Sequence, residues 1–332
     1  ERSVERGDGG SDSSASDLRS ERSVTIELRE GAEFDIVRRM VARWGRLAEG
    51  IGDDAAVLAN AGHGSMVVST DFSVENVHFR RGWLDPREIG YRATAASLSD
   101  LAAMAAIPSA ILLSITLPDS WRKEIDAIAD GIGEAAEQAS ARIVGGDLSE
   151  GRDLTLVLTV IGNAERPLRR SDARVGDSVY VTGKFGGPGA ALSCLLEGRG
   201  MSDEMRKRFT HPVPRIREAL WLAGHGVNAA IDISDGLAAD LSNIAAASGV
   251  RILLDLDHVP AVAGISSRDA AASGEEYELA VTSAQPLDTA AFEKRFGLRL
   301  TQVGRVEGGE PGVTALVRGA AVPMPHGYLH FE

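Results

Sequence analysis

The sequence has little cysteine and no long apolar run, and each shortage excludes a class of protein. Its 332 residues include a single cysteine, Cys194, which excludes an internal disulfide bond and any zinc site built from several cysteines. No apolar stretch approaches the roughly 20 residues that a membrane-spanning helix needs. Because one isolated cysteine is typical of a reducing compartment, we expect a cytoplasmic protein with Cys194 buried in an apolar helix.

Basic residues are also scarce. The chain has 35 Lys and Arg against 48 Asp and Glu, which gives a net charge of −13 at pH 7. Proteins that bind the nucleic-acid backbone depend on clustered Lys and Arg, so we expect no nucleic-acid partner. A protein of this charge that handles another polyanion must recruit cations.

The sequence divides into a tail and two halves. Residues 1–25 are rich in Ser, Gly and mixed charge and lack the apolar core of a signal peptide, which predicts a disordered tail. Beyond it, helical and strand patterns alternate, as is typical of an α/β or α+β fold. A polar stretch at 163–177 separates the halves, and we predict domains at 26–165 and 166–332 with a cleft between them.

The spacing of apolar residues predicts the main elements of both halves. Helices are expected at 33–44, 85–106, 124–139, 187–196, 215–223 and 237–249. Strands are expected at 55–58, 66–69, 110–117, 142–144, 154–161, 178–183, 229–233, 251–256, 278–281 and 301–306.

Aspartates recur at the ends of these apolar segments. Asp232 lies inside the apolar run 229–233, where an ionised carboxylate needs a cationic partner. For any single aspartate a cap or turn role is the simpler interpretation. Convergence of several would require a cation, since like charges about 4 Å apart repel by roughly 1 kcal/mol in water and about 4 kcal/mol at an effective dielectric near 20. Asp, Ser and Thr oxygens suit Mg²⁺, which often bridges to phosphate.

Several common catalytic motifs are missing. The stretch "GKFGGPGA" contains a Gly-Lys pair but not the spacing of a P-loop, so a turn before a helix is the simpler interpretation. The sequence also lacks G-x-S-x-G, H-E-x-x-H and a strand-anchored G-x-G-x-x-G. Hydrolase triads, zinc proteases and Rossmann dehydrogenases are therefore disfavoured.

Seven motifs follow one another along the sequence: "IGDDAAV", "STDFSVENVHF", "LSDLAAM", "GGDLSEG", "RRSDARVGDSVYVTG", "IDISDGL" and "SGEEYEL". In this order and spacing they resemble thiamine-monophosphate kinase, over roughly residues 30–331. That family belongs to the superfamily of aminoimidazole ribonucleotide synthetase and selenophosphate synthetase. The resemblance implies a two-domain PurM-like α/β (α+β) fold and a homodimer that pairs through its N-terminal domains.

The resemblance also implies an activity, cofactors and site residues. The family phosphorylates thiamine monophosphate to thiamine diphosphate with ATP and several Mg²⁺ ions. We expect direct in-line transfer of the γ-phosphate with no general base, since the attacking phosphate oxygen is already negative. The implied metal ligands are Asp54, Ser69, Thr70, Asp71, Asp100, Asp147, Asp232 and Asp235. The implied ATP contacts are Gly146, Asp147, Arg170 and Ser234, and the implied substrate contacts are His78, Glu275 and Tyr328.

Alternatives remain open for individual residues and for the activity. His78 could be an ordinary strand histidine, Arg170 a solvated charge beside Arg169, and Tyr328 a packing residue. The chain could act on another acceptor within the superfamily, such as a purine-pathway amidine, or bind Mg²⁺ or nucleotide without catalysis. Selenophosphate synthesis is disfavoured because it generally needs a reactive Cys or selenocysteine near the N-terminus, whereas the one cysteine of this sequence is Cys194. Three positions depart from the family pattern: Ser97, Ala105 and Glu276.

Overall fold

The computed structural model describes residues 29–44, 51–59, 64–325 and 327. The predicted tail at 1–25 and Tyr328 lie outside the described residues. The described part forms two β-sheets with helices packed on them, which confirms the predicted α/β class. The proposed domain boundary near residue 165 falls between the sheets and stays a prediction. No helix in the described ranges is long and apolar enough to cross a membrane.

The N-terminal half contains a mixed sheet. In the described residues it has five strands in the order β1-β2-β5-β3-β4, antiparallel except for the parallel β3–β4 pair. Inward residues of β5 alternate with half-buried ones, as expected for a strand with one covered face. The elements are α1 (Ala32–Trp44), β1 (Ala56–Ala59), β2 (Ser65–Val74), α2 (Pro86–Ala103), β3 (Ile107–Thr116), α3 (Ile125–Gln138), β4 (Arg142–Ser149) and β5 (Thr155–Ala164).

The C-terminal half is built on a larger sheet. Its seven described strands run in the order β12-β11-β8-β10-β6-β9-β7. Helix α7 packs against β7, β8 and β11, so its Leu and Ile side chains join the main core of this half. The elements are β6 (Ser178–Thr182), α4 (Gly187–Leu196), α5 (Asp203–Thr210), α6 (Ile216–Gly224), β7 (Val227–Asp232), α7 (Leu237–Ser248), β8 (Arg251–Asp255), α8 (Ser267–Ala272), β9 (Leu279–Ser283), α9 (Thr289–Phe296), β10 (Leu300–Glu307), β11 (Gly312–Val317) and β12 (Ala320–Val322).

Helix α2 connects the two halves. It packs against α3, β2 and β5 of the N-terminal half and against α5, α6 and β7 of the C-terminal half, and most of its residues are buried. The backbones of α2 and α3 approach closely because Gly90 and Gly131 have no side chain at the crossing. The helix ends before the predicted residue 106, since Ala105 adopts a left-handed φ of 49° that a helix cannot continue.

The remaining elements agree with the sequence to different degrees. Helix α4 has the predicted bounds, and Cys194 on it is buried as expected. Strand β4 is longer than predicted because pairing with β3 extends it to Ser149. The apolar pattern missed α5, α8, α9, β11 and β12.

Candidate functional site

A cavity of about 550 Å³ lies between the two halves. Strand β2 and helix α2 form one wall, and the segments that follow β7 and precede β9 form the opposite wall. Most of the conspicuous acids of the sequence face this cavity. They are Asp53, Asp54, Asp71, Asp100, Asp232, Asp235 and Asp240.

Three carboxylates from distant segments meet in the cavity. Asp54 precedes β1, Asp100 lies on the last turn of α2 and Asp232 ends β7; each offers an oxygen within 4.8 Å of the other two. Burial raises the pKa of Asp100 well above its usual value, and repulsion from Asp71 and Asp232 adds to the effect. Burial likewise raises the pKa of Asp232, with Asp54 as the next cause. The cluster therefore favours bound positive charge.

Strand β2 supplies a fourth acid to this cluster. Ser69 donates a hydrogen bond to Asp100, which places Ser69 and Asp71 on the side of β2 that faces α2. Burial raises the pKa of Asp71, while a hydrogen bond from Ser97 opposes the increase. Thr70 points to the other side of the strand, where its hydroxyl lies 3.0 Å from that of Thr159. Because successive residues of a strand face opposite sides, the Thr70 side chain does not share the side of β2 on which Ser69 and Asp71 lie.

Arg170 is the cation that faces Asp54. Its Nε and Nη2 donate to the two oxygens of Asp54 over 3.0 and 2.6 Å, a bidentate arrangement. Its backbone N–H donates to Asp53, so the linker between the halves is anchored at the entrance of β1. Burial acts to lower the pKa of Arg170, but Asp54 raises it above its usual value. Arg170 is therefore a fixed charge of the site rather than a solvated one.

The "ISDG" loop after β7 is held by an acid that the sequence pattern did not single out. One oxygen of Asp240 accepts hydrogen bonds from the backbone N–H groups of Ser234, Asp235 and Gly236, over 3.0 to 3.1 Å. Gly236 takes the N-cap position of helix α7 with a φ of 122°, so neither Ser234 nor Asp235 caps this helix. Burial raises the pKa of Asp240 to about 8.

The residues present fit a hard divalent cation. The clustered donors are carboxylate oxygens, Ser69 lies beside them, and among the three clustered acids of the described residues only Asp54 forms a direct ion pair with a guanidinium. Asp235 has a different partner, since Arg29 at the start of the described chain donates to it over 2.8 Å. An all-oxygen set of this kind matches the preference of Mg²⁺.

Comparisons with known proteins identify the family of the chain. The family described as AIR synthase related protein matches residues 52–164 with its N-terminal domain and residues 174–316 with its C-terminal domain. The thiamine-monophosphate kinase of Salmonella typhimurium is 34% identical over 90% of this chain and 98% of its own, and that of Pyrococcus horikoshii is 34% identical over 84% and 89%. The chain belongs to the thiamine-monophosphate kinase family. The solved complex of AaThiL with AMPPCP and TMP has a TM-score of 0.79 and 29% identity, and covers 90% of this chain and 97% of that one.

The family assignment also fixes the fold as the two-domain PurM-like fold. Only some of the site residues that the resemblance implied lie at the cavity. Seven of the implied metal ligands border the cavity in the described chain, although the Thr70 hydroxyl points to the other side of β2: Asp54, Ser69, Thr70, Asp71, Asp100, Asp232 and Asp235.

Gly146 and Asp147 are not brought to this wall. They lie on β4 at the edge of the N-terminal sheet, where every residue of the strand is exposed. The sheet register runs from Asp71 through Leu158 and Leu113 to Gly146, so three strand spacings of about 4.8 Å, roughly 14 Å, separate them. A Cβ at Gly146 would lie 1.7 Å from the Leu113 carbonyl oxygen, so strand packing alone demands glycine there.

The two described residues implied as substrate contacts share the far end of the cavity. His78 and Glu275 both line it, and His78 Nδ1 accepts a hydrogen bond from the Val74 backbone over 3.1 Å. Glu275 and Tyr277 have left-handed φ values of 58° and 51°, which cost about 1–2 kcal/mol each for residues with a Cβ. Such strain concentrates at functional sites, where the surrounding contacts enforce it.

Sequence reasoning overlooked several residues of this wall. Arg92 and Tyr277 line the cavity, together with the rings of Phe34, Trp83 and Phe209. Arg92 was detectable as a cation among the Ala-rich turns of a helix, a position that demands a buried partner. Tyr277 stood inside the motif "SGEEYEL", but nothing in its spacing distinguished it from a core aromatic residue.

Proposed function

We propose that this protein transfers the γ-phosphate of ATP to thiamine monophosphate and forms thiamine diphosphate. The proposal rests on the cluster of Asp54, Asp100 and Asp232, two of them buried and Asp100 half-buried, in a cavity that Glu275 also lines. Two phosphorylated molecules need cations between them, and this cavity offers carboxylate ligands for such cations. The family membership and the relatives of that name support the same reaction.

Asp54, Asp71, Asp100, Asp232 and Asp235, with Ser69, would hold Mg²⁺. Bound Mg²⁺ supplies charge neutralisation between the carboxylates and the phosphate oxygens. We do not assign the Thr70 hydroxyl as a direct Mg²⁺ ligand, because it points away from the acids and toward Thr159.

The reaction needs positioning more than acid–base chemistry. A terminal phosphate oxygen of the acceptor already carries negative charge, so no residue has to remove a proton from it. Arg170, held by two hydrogen bonds to Asp54, presents a guanidinium that cannot lose its charge near the phosphates. The loop at Ser234 is held by a hydrogen bond to Asp240, and Ser234 lines the same cavity. The chain thus orients both substrates and screens their charge.

We further propose a homodimer formed by the N-terminal sheets. Strands β2, β3 and β4 leave large apolar side chains in solvent; Phe72 is 61% exposed and Leu148 64%. Exposed apolar area of this kind marks an interaction surface. A second copy would also give Gly146 and Asp147 a role. Strand β4 does not reach the cavity of its own chain, and in the dimer it would lie at the cavity of the partner chain.

The proposed activity is tested by measuring ADP release from the full chain with ATP, Mg²⁺ and thiamine monophosphate. We expect turnover that chelation of Mg²⁺ abolishes, and Asp71→Asn should reduce it by about 100-fold or more because the charge at the metal cluster changes. The matched control is Asp255→Asn, a half-buried aspartate at the end of β8 outside the cavity, which should retain activity.

Two outcomes would contradict the proposal. Turnover with another phosphate acceptor but none with thiamine monophosphate would assign the chain a different reaction within the superfamily. Binding of ATP and Mg²⁺ without turnover of any acceptor would make it a binding protein.

A further inference from the structure

Arg92 is a buried cation that the mechanism does not use. It lies in the middle of α2, is 4% exposed and lines the cavity. Burying a guanidinium is costly unless each of its N–H groups finds a partner, so its contacts should indicate what the charge is for.

The partners of Arg92 come from three separate segments. Its Nε donates to the backbone oxygen of Phe209 over 2.9 Å, and its Nη1 donates to the backbone oxygen of His78 over 3.2 Å. Its Nη2 forms an ion pair with the carboxylate of Glu275, and the guanidinium lies 4.7 Å from the centre of the Phe209 ring. One side chain on α2 therefore fixes a loop of the N-terminal half and two segments of the C-terminal half.

Two of these partners are the residues proposed to contact the acceptor. His78 is held through its carbonyl, and Glu275 through its carboxylate, while the backbone N–H of Glu275 donates to Ser234 over 2.7 Å. The left-handed backbone at Glu275 needs an external contact to hold it, and the ion pair with Arg92 is such a contact. Burial acts to lower the pKa of Arg92, but Glu275 and Tyr277 raise it above its usual value, so the guanidinium stays charged.

Helix α2 places Arg92 and Asp100 at opposite ends of the cavity. Eight residues separate them, and at 1.5 Å per residue the distance along the axis is about 12 Å. Asp100 joins the acidic cluster, which the proposed function assigns to Mg²⁺ and ATP, whereas Arg92 contacts Glu275, which it assigns to the acceptor. A change at Arg92 should therefore affect one substrate and not the other.

We infer that Arg92 is a positioning residue that holds Glu275 and the His78 segment in the geometry that receives the acceptor. This inference rests on the proposed function, because Glu275 and His78 are acceptor contacts only if thiamine monophosphate binds there. It predicts that Arg92 determines the KM for the acceptor and leaves the KM for ATP nearly unchanged.

The test compares steady-state kinetics of the full chain and its variants Arg92→Met, Arg92→Lys and Glu275→Gln. For Arg92→Met we expect the KM for thiamine monophosphate to rise about 10- to 100-fold, with less than about a threefold change in the KM for ATP. Arg92→Lys keeps the charge but loses the fork, so it should lie between Met and wild type. It also serves as the test if the Met variant does not fold.

The double variant Arg92→Met with Glu275→Gln gives the sharpest readout. If Arg92 acts through Glu275, the double variant should be no worse than the more damaging single variant. The matched control is Arg206→Met, which removes another Arg–Glu pair between α5 and α2, with Glu88, and should leave the acceptor KM within about threefold of wild type.

The outcomes separate the two proposals. No turnover by the wild type would contradict the proposed function. If the wild type turns over normally, two results would overturn the role of Arg92 alone. One is an equal increase in the KM for ATP and the KM for thiamine monophosphate in Arg92→Met. The other is a loss in the double variant equal to the product of the losses in the two single variants.

Discussion

Asp54 and Asp232 lie side by side in the cavity, yet only one of them has a cationic side chain as partner within the described chain. Asp54 is held by both arms of the Arg170 guanidinium, whereas Asp232 is 4% exposed and faces two other carboxylates. Its pKa is raised by burial and by Asp54. A buried carboxylate of this kind destabilises the protein until a cation or a proton neutralises it.

Asp232→Asn should therefore stabilise the metal-free protein and abolish its response to metal. The neutral amide removes a buried charge, so we expect the free energy of unfolding at pH 7.5 to rise by about 1–3 kcal/mol without Mg²⁺. We also expect activity to fall by about 100-fold or more. Thermal unfolding with and without Mg²⁺, together with the turnover assay, checks both parts. A variant that is less stable than wild type without metal would contradict this account of Asp232.

Glu276 predicts a pH dependence that does not involve the metal cluster. It is 6% exposed, accepts a hydrogen bond from the Gly186 backbone over 2.5 Å, and has a pKa that burial raises to about 8. Between its ordinary value and pH 8 the folded chain holds a proton that the unfolded chain has lost. Stability should therefore fall as pH rises through this window, by at most about 1.4 kcal/mol per pH unit.

The Glu276→Gln variant isolates this contribution. Glutamine keeps the acceptor for Gly186 but does not titrate, so its stability should fall less between pH 5 and pH 8 than that of wild type. Urea unfolding at four pH values in that range measures the difference. Parallel curves for the two proteins would show that Glu276 is ionised in the folded state.

At the scale of elements, helix α2 shows what local pattern predicts and what it does not. The sequence predicts the Ala-rich body of this helix and its start at Asp85 and Pro86. At that start the Glu88 side chain accepts a hydrogen bond from the Asp85 backbone over 2.9 Å. Its end was not readable, because the left-handed turn at Ala105 depends on tertiary contacts. Strand β11 was missed for a related reason, because Gly312 pairs with Arg251 of β8, which is 61 residues earlier in the chain.

The crossing of α2 and α3 gives a prediction with an internal control. A Cβ at Gly131 would lie 1.9 Å from the Arg87 carbonyl oxygen of α2, whereas a Cβ at Gly133 on the same helix would meet nothing within 4 Å. Gly131→Ala should destabilise the protein by about 1–3 kcal/mol or more through overpacking. Gly133→Ala should stabilise it by about 0.5–1 kcal/mol through helix propensity.

Chemical denaturation of the two alanine variants measures this difference. Because α2 also carries Arg92 and Asp100, Gly131→Ala should lower activity as well, by shifting both ends of the cavity. Equal stability of the two variants would mean that the helices separate freely, and the rigid placement of α2 would then be wrong.

At the scale of the whole molecule, the sequence predicted which acids matter but not which ones meet. The motifs around Asp54, Asp100 and Asp232 are 46 and 132 residues apart along the chain, and only the packing of two sheets against α2 brings them within 4.8 Å. The same packing leaves Asp147 at a sheet edge, which no local pattern could have revealed. Arg92 and Asp240 were missed because their roles consist of holding other segments.

The separation of Asp147 from Asp71 permits a test of the proposed homodimer. The variant Leu148→Glu places a charge on the exposed face of β4 and should convert a dimer into monomers, as measured by light scattering after gel filtration. Val175→Glu is the matched control, because Val175 is also 64% exposed but lies in the C-terminal half, and its mass should not change. A wild-type chain that elutes as a monomer would contradict the dimer outright.

Mixing two inactive variants then decides whether Asp147 acts in the partner's cavity. Asp71→Asn and Asp147→Asn chains, unfolded together and refolded, form heterodimers in about half of the dimers if pairing is random. If Asp147 acts across the dimer, one of the two cavities in each heterodimer has both native aspartates, so activity should return to about a quarter of wild type. If Asp147 acts within its own chain, every cavity lacks one aspartate and no activity returns. Since the register places Asp147 roughly 14 Å from Asp71 within one chain, we expect the refolded mixture to regain about a quarter of wild-type activity.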